Sequence, residues 1–102
     1  MTSESKLVPA KVRQAVYDRD NQCCRVCGRF CDTPGLHHIS YRSEGGGNTI
    51  ENLVTIGWTP FHDCHLDVVH RHKKLWQPIL ETVIARQDGI NGLQLLRWAR
   101  AL

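Results

Sequence analysis

Five Cys and six His in a chain of 102 residues limit what this sequence can fold into more than any other feature. A domain of this length buries only about two-thirds of the surface its unfolded chain exposes, so its apolar core is marginal on its own. Small domains commonly make up the shortfall with disulfides or a structural metal. The opening residues, Met1-Thr2-Ser3-Glu4-Ser5-Lys6, are polar and lack the apolar stretch of a secretory signal. No run approaches the roughly 18 apolar residues needed to span a bilayer. Neither secretion nor membrane insertion is expected, so the thiols read as metal ligands rather than as a disulfide framework. The odd number of Cys points the same way. The net charge of +3 leans toward an anionic partner but selects none.

The pattern along the chain predicts a small α+β fold. Residues 1–8 read as a flexible lead, and residues 9–102 as a single domain. Pro9 suits a helix start, and Val8, Val12, Ala15 and Val16 share one helical face that ends near Asp18-Arg19-Asp20-Asn21. Leu36–Tyr41 and Leu53–Ile56 read as two strands of a hairpin around a loop from Arg42 to Asn52. A helix is expected from about Asp63, with His65 in its first turns. A second, with Pro78 at its start, carries Trp76, Ile79, Leu80, Val83 and Ile84. Asp88-Gly89 and Asn91-Gly92 stop it. Leu95, Trp98, Ala99 and Leu102 suit a last short helix, and Trp76 and Trp98 are expected in the core.

The residues that could carry chemistry fall in a fixed order. Cys24-Arg25-Val26-Cys27-Gly28 has the form of a zinc knuckle, two thiolates on a tight turn. His37-His38 follows on the first strand, Asn52 precedes the second, and Cys64-His65 opens a helix. Adjacent strand residues point to opposite sides, so His37 and His38 cannot easily do the same job. Taken singly, each of these residues has an ordinary explanation: a buried thiol, a satisfied polar residue on a sheet, a cap.

In this order, the strings Val16-Tyr17-Asp18-Arg19-Asp20, Cys24-Arg25-Val26-Cys27-Gly28, Leu36-His37-His38-Ile39, Arg42-Ser43-Glu44-Gly45-Gly46, Glu51-Asn52-Leu53-Val54-Thr55 and Cys64-His65 resemble the HNH endonucleases. Among them the chain is most similar to the small free-standing HNH proteins of tailed bacteriophages and prophages. The resemblance runs from Val16 to His70, about half of the chain, within a core motif of about 16–76. The helical extension of about 77–102 matches nothing.

The resemblance implies a ββα-metal motif that hydrolyses phosphodiester bonds in double-stranded DNA. His37 and His65 take the metal positions, and His38 the position of the general base. Asn52 falls on the family's Asn, expected to tie the loop and orient that base. His70 is carried as a third metal ligand, although it stands five residues after His65 where related members place it four. Mg²⁺, Mn²⁺, Ni²⁺ or Zn²⁺ could fill this site, and imidazole ligands favour the softer ions. A structural zinc would take Cys24, Cys27 and Cys64, but the family's usual fourth Cys is replaced by Gly57. His62 is the first choice for the vacancy and Cys31 the second; the alternative is a degraded site without zinc. Arg42, beside a Gly-rich loop, is a candidate DNA contact. The same resemblance implies a bacterial cytoplasmic setting, a phage terminase as partner, and a homodimer where both strands are cut. A non-catalytic zinc-binding DNA module and a purely structural zinc protein are the competing readings.

Overall fold

The computed structural model describes residues 8–41 and 45–101, the side chains of 100 and 101 aside. Helix α1 spans Ala10–Arg19, strand β1 Pro34–His38 and strand β2 Leu53–Gly57. A π-helical segment, His65–His70, leads into α2, Lys73–Arg86, and α3 spans Gly92–Ala101. The strands pair antiparallel, from Pro34 opposite Gly57 to His38 opposite Leu53. This is the small α+β architecture expected, with helices flanking a two-stranded hairpin.

The hairpin has covering on both faces, and strand alternation decides what each face touches. Leu36 and Leu53 point toward α1 and pack with Val8 and Val16. Val54 and Ile56 point the other way, into a larger cluster with Val26, Ile39, Val69, Trp76 and Leu80. Every residue of β2 is buried, as a strand sandwiched between two layers must be. His37 and His38 therefore emerge on opposite faces of a rigid element.

The last residue of α1 and its cap build a charged joint inside this core. Asp20 is buried, and its Oδ1 accepts hydrogen bonds from Arg19 Nε (2.8 Å) and Arg25 (3.0 Å). Its Oδ2 accepts from the Thr55 backbone N–H at 2.9 Å and from Arg19 at 2.9 Å. Arg25 also reaches the Ile90 carbonyl at 2.9 Å, and Arg19 those of Ile50 and Leu53. One carboxylate thus ties α1, the Cys24–Cys27 turn, β2 and the α2–α3 connection together.

Several expectations change. The first strand runs Pro34–His38 rather than Leu36–Tyr41, because Asn52 takes over the backbone of Ser40 and draws the chain out of the ladder. Val8, placed in the flexible lead, is buried against α1; residues 1–7 lie outside the described residues. Pro78 sits inside α2 rather than at its start, on the exposed face, where the carbonyl it leaves without a helical N–H lies toward water. Trp98 is not in the core: it is 53% exposed, with the Arg86 guanidinium 5.0 Å from its ring centre. Trp76 is buried as expected. Leu102 and Arg42 lie outside the described residues.

Removing the charge of Asp20 would leave two guanidinium groups facing it without a counter-ion. Asp20→Asn should cost about 3–5 kcal/mol of folding stability, the range for breaking one side of a buried ion pair. Urea unfolding followed by circular dichroism measures the loss, and an unchanged midpoint would show the joint to be dispensable.

Candidate metal centre and active site

Two groups of donor atoms converge, and within each group the atoms lie no more than 4.8 Å apart. The first is Cys24, Cys27, His62 and Cys64; the second is His37, His65 and His70. They meet at neighbouring residues, since Cys64 belongs to one and His65 to the other.

The thiolate group starts at a tight turn closed by the Gly28 N–H on the Cys24 carbonyl at 2.8 Å. Cys64 arrives from the far side of the hairpin. His62 Nε2 stands 3.1 Å from Cys27 Sγ. What brings it there is a second tight turn, Thr59 to His62, in which each residue's N–H bonds the other's carbonyl at 3.1 Å. The ring then lies over Gly57, whose added Cβ would come within 2.4 Å of His62 Nε2. The position where the family pattern expects a Cys is therefore the space the imidazole fills. Cys31 stays apart, buried, with a weak thiol contact to the Arg29 carbonyl at 3.8 Å. Burial, with the neighbouring Cys24 and Cys27, pushes its thiol up to about 11. Cys23 points its thiol at the Asn21 carbonyl.

The electrostatics of the thiolate group are those of crowded thiols that share protons. A hydrogen bond from the Cys64 thiol draws Cys24 down to about 4, against the cost of burial. The same bond, with burial, pushes Cys64 up. Three sulfurs and one imidazole at such spacing are a donor set that suits tetrahedral Zn²⁺.

The histidine group owes its third member to an irregular helix. In a regular α-helix residues five apart lie about 140° from each other around the axis. The segment His65–His70 is instead π-helical, with i→i+5 hydrogen bonding, so residues five apart come onto one face. His65 Nε2 and His70 Nε2 are 2.9 Å apart. The rings of His37 and His65 are 5.4 Å apart, those of His37 and His70 5.3 Å. The irregular spacing that set His70 apart from the family pattern is thus absorbed locally by the backbone.

Three side chains that the sequence did not single out, with Lys73 beside one of them, stand against these histidines or against His38. Trp58 stacks on His65 with ring centres 3.6 Å apart. The Tyr41 hydroxyl bonds His70 Nδ1 at 2.8 Å, and Lys73 Nζ lies 4.1 Å over the Tyr41 ring. Asn48 Oδ1 stands 2.7 Å from His38 Nε2. The only available signals were Tyr41 next to the strand, an Asn after three Gly, and a Trp after β2, none of them selective. Asn52 does tie the loop: its Oδ1 accepts from the Ser40 N–H (2.8 Å), and its Nδ2 donates to the carbonyls of Ser40 and Gly47 at 3.0 Å. Gly46 has to be Gly for this clamp to close, because a Cβ there would run into the Ser40 carbonyl. The side chain seen bonding His38 is Asn48, not Asn52.

The His group is chemically suited to a cation. Burial, reinforced by the charges of the neighbouring histidines, holds His37 down to about 3. Burial, then His70, holds His65 to about 4. Both imidazoles are thus neutral near pH 7, the form that binds metal. His65 Nδ1 is buried with no hydrogen-bond partner. A set of nitrogens without a carboxylate fits Mn²⁺, Ni²⁺ or Zn²⁺ better than Mg²⁺.

Residues 24–71 match the family model of the HNH endonucleases. No curated protein gives a significant match. No helix among the described residues is long and apolar enough to cross a membrane.

Two outcomes follow from this geometry. His62→Ala should lose zinc, and His62→Ala with Gly57→Cys should regain about one zinc per chain, because the vacated space then holds a thiol; metal analysis after gel filtration reads both. With no metal on the three histidines, the folded protein keeps His37 and His65 neutral well below their ordinary value of 6.5. The unfolded chain then binds more protons, so stability should fall as the pH drops from about 6.5 toward about 3. Urea midpoints across that range should decline less steeply for His37→Gln than for the wild type.

Proposed function

From the HNH endonuclease family to which residues 24–71 belong, we infer that this protein is a metal-dependent endonuclease that hydrolyses phosphodiester bonds in DNA. The observation that carries the reading is the convergence of His37, His65 and His70 beside the strand that also carries His38. His37, His65 and His70 would hold a divalent cation, which when bound would neutralise charge on the phosphate and the leaving oxygen. Zn²⁺ at Cys24, Cys27, His62 and Cys64 would serve the fold.

His38 is the general base of this proposal. Its Nδ1 is buried, and its Nε2 faces the Asn48 side chain. Asn48 Oδ1 stands 2.7 Å from Nε2, the place a water to be deprotonated would take. An amide oxygen only accepts, so this contact holds the Nε2–H form of the imidazole. On this reading Asn48 yields that place when DNA is bound and the ring proton moves to Nδ1, leaving the Nε2 lone pair for the water. Water then attacks phosphorus in line with the departing 3′ oxygen, and Nε2 takes its proton. Arg42 is proposed as a DNA contact from the sequence alone. One such site acts on one strand, so duplex cleavage takes a homodimer or two successive nicks. A role in phage genome packaging beside a terminase extends the reading on the strength of the sequence resemblance.

A supercoiled plasmid incubated with Mn²⁺, Ni²⁺ or Mg²⁺ tests this. The wild type should nick it, and His38→Ala should be slower by about 10²–10⁴-fold while keeping its fold and zinc, the usual loss of a general base. Asn48→Ala should nick at least as fast as the wild type. Zinc content with DNA binding and no nicking in any metal would instead make the protein a DNA-binding module. Zinc content with no DNA affinity at low salt would make it a structural protein.

A further inference from the structure

Beside the histidine group the protein exposes aromatic rings that the proposed hydrolysis does not use. Phe61 is 93% exposed, Phe30 60% and Trp58 48%. All three line one cleft of about 280 Å³, together with Arg29 and Asp32. Phe61 is at the tip of the Thr59–His62 turn, so the tight turn that delivers His62 inward also holds Phe61 outward. Trp58 belongs to both places: one side stacks on His65, and about half of its surface remains open at the cleft.

We propose that the cleft lined by Phe30, Trp58 and Phe61 is a stacking platform for an unpaired nucleobase of the strand held at the histidine group. Large exposed rings are costly to leave in water and mark binding surfaces. Two features choose the occupant. Any strand whose phosphate lies at His65 passes Trp58, which touches that histidine, so the adjoining nucleotide reaches the cleft. Besides hydroxyls and the His62 ring, the charged groups there are one guanidinium and one carboxylate: Asp32 repels a second phosphate but can accept from the amino edge of a base, while Arg29 can stack or pair. A base inside a duplex is already stacked on its neighbours, so the occupant is a base in single-stranded, frayed or flipped DNA. The inference depends on the nuclease reading only for the direction in which the strand runs.

The test is binding, separated from cleavage. Fluorescein-labelled 12-nucleotide single strands, one bearing bases and one fully abasic, are titrated by anisotropy at low salt without added divalent ion, in a His38→Ala background. Base stacking should make the base-bearing strand bind about tenfold tighter than the abasic one. Phe61→Ala should erase that preference and Phe61→Trp should restore it. The exposure of Phe61 makes both variants safe for the fold, checked by zinc content and thermal unfolding. Equal affinity for the two strands in the wild type overturns the proposal, as does a preference that survives Phe61→Ala. An effect of Phe61→Ala confined to phosphatidylglycerol vesicles also overturns it, assigning the rings to lipid. If no metal supports nicking but the base preference appears and depends on Phe61, the platform stands and the nuclease reading falls.

Discussion

The buried carboxylate of Asp20 is the interaction on which the rest of the structure depends. An unpaired charge in that position would be severely destabilising, and the protein meets the cost by surrounding it with two guanidinium groups and a backbone N–H. The consequence is positional. Arg25 lies between the two knuckle cysteines, and its own N–H bonds the Thr55 carbonyl at 3.0 Å. The knuckle is therefore anchored to β2 before any metal is considered. Because β2 fixes β1 by its register, the same joint sets where His37 and His38 stand relative to Cys24 and Cys27. A core of this size has few apolar side chains to spare for such positioning, and a shared charge network with fixed directions supplies it instead.

The π-helical segment solves a different problem. Its backbone pattern is uncommon because its hydrogen bonding is poorer than that of an α-helix, and such segments concentrate at functional sites. Here one additional residue between His65 and His70 would have turned the second imidazole away from the first. The wider turn keeps them 2.9 Å apart at their Nε2 atoms. Tyr41 then holds His70 from its other nitrogen, which gives an otherwise exposed ring a defined direction.

What could be read from the sequence was what depends on short spacing. The Cys24–Cys27 turn, the alternation of His37 and His38 and the buried run of β2 all follow from local geometry that a few residues determine, whereas the place of His62 rests on its two-residue spacing to Cys64 together with the family resemblance. What could not be read depends on partners distant in the chain. Asp20 looked like a polar helix end because its partners at 25 and 55 are invisible to periodicity. Trp98 has helical apolar spacing, but it stays half exposed on α3, with the Arg86 guanidinium over its ring. Asn48 and Tyr41 gain meaning only once the loop clamped by Asn52 and Gly46 brings them against His38 and His70.

The segment Gly57–His65 shows why structure and chemistry cannot be separated in a protein this small. Gly57 yields space, Trp58 covers His65, His62 and Cys64 close the thiolate group, and His65 enters the other one, all within nine consecutive residues. A rigid chain of that length has few independent degrees of freedom. Anything that fixes Cys64 in place also fixes the entry of the π-helical segment, and hence the direction of His65. Coupling should run chiefly in that sense, from the thiolate group to the histidines, because the first lies within the main apolar cluster while His70 stands at the surface. On the proposed function, a metal at the thiolate group would thereby be a condition for the geometry of one at the histidines, and the exposed rings of Trp58 and Phe61 take their orientation from the same segment.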